Sequence, residues 1–181
     1  MTALALALAD WAHGLEPGQD DLALAGRSLA DTVAVTLAAR DHPVTRLAAG
    51  LPDGARWAVA GHVLDFDDLH MQSTTHISVV CVPTALATGG GARGYLAAAG
   101  VMARLGVALG WPHYSAGWHA TCTAGALASA AGAGLAPVPS NEPTGALGGC
   151  LSRPRRHTDP ASWTWDNAAQ VLEGLCSAST A

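Results

Sequence analysis

The chain has 181 residues, half of them hydrophobic, only 5% aromatic, and a net charge of −5. With a single Phe, a core must be built from Ala, Leu and Val, which favours helix packed on helix. All nine basic residues are arginines, three of them crowded at Arg153, Arg155 and Arg156. Without a basic stripe, nucleic acid is excluded as the expected partner.

In chain order, Leu4 to His13 reads as a short Ala/Leu helix ended by Gly14 and Pro17. Asp20 and Asp21 open a second helix, in which Leu22, Leu29, Val33 and Leu37 keep the spacing of one apolar face. Asp41-His42-Pro43 breaks it, because the residue before proline resists the helical region. A helix from about Pro43 to Leu51 follows, then a turn at Pro52-Asp53-Gly54, and helical character returns from Ala55. The most polar segment, Asp65 to His76, leads into an apolar helix from Ile77 to Thr88. After the Gly89-Gly90-Gly91 loop, an Ala-rich helix spans Arg93 to Leu109 and is stopped by Gly110-Trp111-Pro112. A polar turn from His113 to His119 precedes a last helix, Thr121 to about Ala133. Beyond Leu135, prolines, glycines and serines erase any helical period until about Trp165 to Leu175. The expected organisation is a helical domain over 1–134 and an irregular, weakly ordered tail over 135–181.

The cysteines, Cys81, Cys122, Cys150 and Cys176, are far apart and form no C-x-x-C pair, so they read as free thiols rather than a zinc knuckle. The apolar start lacks a basic region and is interrupted by Asp10, which argues against a signal peptide. No apolar run reaches the expected length of a membrane span, and a cytoplasmic location follows as the default.

Two polar islands interrupt the apolar helices. The first is HVLDFDDLH, from His62 to His70, continuing through Ser73-Thr74-Thr75-His76. If Asp65 to Leu69 is helical, Asp65 and Asp68 share a face, one turn beyond His62. Carboxylates this dense are costly to bury uncompensated, so they lie either at the surface or in a site. For Asp67, Asp68 and His70 a solvated loop is an equal alternative, and His62 also fits a core or capping role. The second island is HYSAGWHAT, from His113 to Thr121. There Gly117 frees the backbone, Trp118 supplies an apolar wall, and His119 stands just before a helix, where a neutral imidazole can act as acid or base.

The strings HVLDFDDLHMQSTTH and HYSAGWHATCTAGALASAA, preceded by ALADWAHGL and SLADTVAVTLAARDHPVTRLAAGL, resemble the MmgE/PrpD family of 2-methylcitrate dehydratases and their relatives. The resemblance covers most of residues 1–134. It implies an all-α, multi-helix bundle that is the family's helical domain, without the α/β domain that normally accompanies it. It also implies a lyase, dehydratase or decarboxylase, acting on a small polycarboxylate such as 2-methylcitrate or cis-aconitate. The expected enzyme needs no metal or organic cofactor and works as a homodimer, with no membrane and no nucleic acid as partner. Asp65, His76 and His119 match the family's active-site aspartate and histidines, and Asp68, His70 and Thr75 are the substrate-contact candidates.

The chain departs from the family pattern at Leu69, where Thr is usual, and at Ile77, where Pro is usual. It also has no lysine, although family sites use lysines and a tyrosine that come later. A polycarboxylate without those cations is held weakly. Arg93 and Arg104 are the available substitutes. Nothing after Leu135 matches the family, and a frameshift near codon 135 would account for the change in character. The expected product is therefore an incomplete or inactive lyase. A non-catalytic helical dimerisation module is the alternative, and a metal site from Asp65, Asp68, His70 and His76 is a further one.

Overall fold

The structure, a computed structural model, describes residues 3–134, so the tail of 135–181 lies outside it. The described residues form seven α-helices and no named strand, an all-α architecture as the Ala/Leu composition requires. The helices are α1 (Ala3–His13), α2 (Gln19–Ala38), α3 (Pro43–Leu47), α4 (Asp53–His62), α5 (Ser78–Thr88), α6 (Gly91–Ser115) and α7 (Ala120–Gly132), with a 3-10 turn at Ala48–Gly50.

Helix α5 is the axis of the core. Every residue from Ser78 to Ala85 is buried, because α2, α4, α6 and α7 all pack against it. Val79, Val80, Cys81 and Val82 meet Val101, Met102 and Leu105 of α6 and Leu127 and Ala128 of α7 in one cluster. Burial pushes the Cys81 thiol far above its ordinary range, so it stays protonated and behaves as a small apolar side chain.

The structure adds to the sequence reading at three places. The apolar stripe on α2 is turned largely outward: Leu22, Leu29, Val33 and Leu37 are 38–59% exposed, and the buried residues of α2 are Ala25 and Thr32. Periodicity identifies an apolar face and not what covers it. Gly110-Trp111-Pro112 interrupts α6 where the sequence leads one to expect a stop, splitting it into a long helix and a short one. Gly110 takes a left-handed, extended conformation (φ 58°, ψ −170°), and a further helical turn runs to Ser115. Helix α6 is also long and apolar enough to cross a membrane by length and composition, and half of its most apolar window is buried inside the fold.

The segment between α4 and α5 is not helical beyond His62, so Asp65 and Asp68 do not share a helix face. Asp65 adopts a left-handed backbone conformation (φ 56°), as does Thr74 (φ 52°). His70 and Thr75 pair across an antiparallel bridge, with His70 N donating to Thr75 O at 2.9 Å. This short hairpin sits on α6 where Gly106 leaves room: a Cβ there would stand 2.6 Å from Ser73 Cβ and 2.8 Å from Thr75 Cγ2.

Candidate functional site

His62 ends α4, Asp65 and Asp67 lie in the loop after it, and His76 stands just ahead of α5. The chain turns back on itself between them, and one potential donor atom from each of these four residues falls within 4.8 Å of all the others. Asp67 is at the centre. Its side chain is only 2% exposed and lies between two imidazoles. His62 Nδ1 is 3.1 and 3.0 Å from its two oxygens. An ionised carboxylate can only accept, so His62 donates from Nδ1 in that tautomer. His76 Nδ1 is 3.0 Å from Asp67 Oδ2, yet this buried nitrogen makes no hydrogen bond; the contact is close but off the bonding direction. The two rings meet edge to face, centroids 4.9 Å apart.

The second island closes on the first. The His76 amide donates to Thr121 Oγ1 at 3.0 Å, which ties the start of α5 to the first turn of α7. His119 is the N-cap residue of α7, and its ring lies 6.4 Å from that of His76 and 6.1 Å from that of Tyr114. Tyr114 in turn stacks on Trp111. His113 is directed elsewhere: it is buried, its Nε2 meets Thr123 Oγ1 at 2.9 Å, and it stacks on Trp118. Burial lowers its pKa, so the neutral ring is favoured.

Asp65, His76 and His119 therefore lie in one neighbourhood. The other three candidates have intramolecular partners. Asp68 accepts the Ser78 amide at 2.8 Å and the Ser78 hydroxyl, capping the first turn of α5. Ser78 Oγ continues this chain to Tyr95 OH at 3.1 Å. The Tyr95 phenol is pushed up in pKa chiefly by its burial, so it remains a neutral hydrogen-bonding partner. His70 Nδ1 meets Ser73 Oγ at 2.8 Å, and Thr75, fully buried, meets the same Ser73 oxygen at 2.5 Å.

Two corrections follow. The residues able to share a metal are His62, Asp65, Asp67 and His76, not the set containing Asp68 and His70. Asp67 is the central residue that the sequence left undecided. The only available signal was its spacing from His62, because a loop has no period to say which of three neighbouring carboxylates turns inward. The arginine substitutes are also engaged on the α1 side. Arg93 donates to the carbonyls of Leu15 and His13, and Arg104 lies 4.1 Å above the Trp11 ring.

An apolar depression between α1, α6 and α7, lined by Ala12, Val101 and Leu127 among others, shares no residue with this cluster. In comparisons with known proteins, no family model matches the chain and no curated protein is significantly similar to it.

Proposed function

We propose that the cluster is the acid–base part of a lyase site of the MmgE/PrpD type, taking a small polycarboxylate such as 2-methylcitrate or cis-aconitate. One observation carries this reading. Imidazoles from two separate polar islands, His76 and His119, stand 6.4 Å apart between ring centroids, with a buried carboxylate behind one of them. Elimination needs a base and an acid at neighbouring positions of the substrate. The base removes the proton from the carbon beside a carboxylate. On 2-methylcitrate the electron pair forms the double bond, and the hydroxyl leaves as water with a proton from the acid; cis-aconitate, which has no hydroxyl, would instead lose CO2 while an imidazole delivers a proton to the carbanion carbon. Two imidazoles at this separation can flank the two substrate carbons. Asp67 holds the His62 tautomer through Nδ1 and lends negative charge to the cluster.

What this chain supplies poorly is positive charge. It has no lysine, and Arg93 and Arg104 are committed near α1. Weak substrate binding and slow turnover are expected. The test is to assay dehydration of 2-methylcitrate and decarboxylation of cis-aconitate with the full chain and with His119→Ala. Turnover that falls by about 10²–10⁴-fold in the variant, the usual contribution of a positioned acid or base, supports the reading. Turnover unaffected by the substitution contradicts it.

A second reading, a non-catalytic helical module that pairs with a copy of itself, is favoured by the exposed apolar stripe of Leu22, Leu29, Val33 and Leu37. It predicts a stable dimer in the same preparation with no turnover of either substrate.

A further inference from the structure

We propose that His62, Asp65, Asp67 and His76 bind one divalent transition-metal ion of the Zn2+ type. The first argument is charge. Asp67 is 2% exposed, and its ion-pair partners are two imidazoles, each charged only when protonated. The arginine ion pairs among the described residues go instead to Asp41 and Asp53. A buried carboxylate without a permanent cation is costly unless something positive sits beside it. A proton can serve, and so can a metal.

The second argument is the state of His76. Its Nδ1 is buried, faces Asp67 Oδ2 at 3.0 Å and makes no hydrogen bond. A buried polar atom of this kind calls for a partner. The third is spacing. With bonds of about 2.1 Å, the donors of a tetrahedral Zn2+ stand roughly 3.4 Å apart. The shortest separations here are 3.0 Å and none exceeds 4.8 Å, so the values bracket that spacing. Two nitrogens with two carboxylates suit Zn2+, or other first-row divalent ions, better than Ca2+ or Mg2+, which take oxygen ligands.

Binding displaces the proton between His62 and Asp67 and makes His76 a ligand. A bound ion would take His76 out of the acid–base pair proposed above, leaving His119 as the imidazole of that pair able to move a proton, and would provide the positive charge that a lysine-free chain lacks for a polycarboxylate. That last consequence rests on the lyase reading; the metal site itself does not.

The experiment is titration of the full chain, stripped by chelator, with Zn2+ by calorimetry and with Co2+ by visible absorption. Saturation at one ion per chain is expected, with proton release and a Co2+ spectrum free of thiolate charge transfer. Asp67→Asn and His76→Ala, checked for retained helicity by circular dichroism, should each weaken binding by at least the 10–100-fold typical of disturbing even an outer-shell partner, an order-of-magnitude figure. Absence of saturable uptake overturns the proposal. So does one-to-one binding that survives both substitutions, or a thiolate spectrum from the cysteines. The Co2+ spectrum of the native chain decides even if a variant fails to fold, and none of these readouts depends on turnover.

Discussion

Neighbouring carboxylates in one short loop do different work. Asp68 closes the first turn of α5 through Ser78, whereas Asp67 turns inward between His62 and His76. The cap satisfies a backbone amide that helix geometry leaves without a partner. Asp68→Ala is therefore expected to lower stability by about 1–2 kcal/mol, measured as a shift in the urea midpoint at constant m-value. An unchanged midpoint would mean that water replaces the carboxylate at no loss. The importance of this polar segment was legible in the sequence, since its density of Asp and His stands out from an Ala-rich background. The division of labour was not, because it depends on the left-handed turn at Asp65 (φ 56°), a conformation that a non-glycine residue does not announce.

The order and approximate limits of the helices followed from Gly, Pro and the 3.6-residue period, and the structure places them within a few residues of those limits. What the sequence could not give was the partner of each face. Gly26 on α2 and Gly106 on α6 are both helix-interior glycines, yet a Cβ at Gly26 meets nothing within 4 Å, while at Gly106 it presses on Ser73 and Thr75. Alanine is favoured over glycine in a helix by about 1 kcal/mol, and overpacking a tight contact costs about 1–3 kcal/mol. Gly26→Ala should therefore raise stability by up to about 1 kcal/mol, and Gly106→Ala should lower it by about 2 kcal/mol, compared in parallel denaturant titrations. Equal effects of the two would show that α6 does not press on the Ser73–Thr75 hairpin.

At the scale of the molecule, α5 carries the core along its length and a polar cluster at its N-terminal end. The two islands, far apart in sequence, meet there through His76 N and Thr121 Oγ1. Sequence spacing alone could not join segments separated by the whole of α5 and α6. The outward stripe on α2 belongs to the same scale, since its apolar side chains stay 38–59% exposed. The central claim is that the islands form one anion-receiving acid–base site. Its most direct test is histidine-selective NMR of the metal-stripped full chain titrated with cis-aconitate, with signals assigned from single His variants. The account predicts that the imidazole resonances of His62, His76 and His119 shift together and saturably, while those of His13 and His42 do not. No saturable shift at these three rings, or equal shifts at all five, would contradict it.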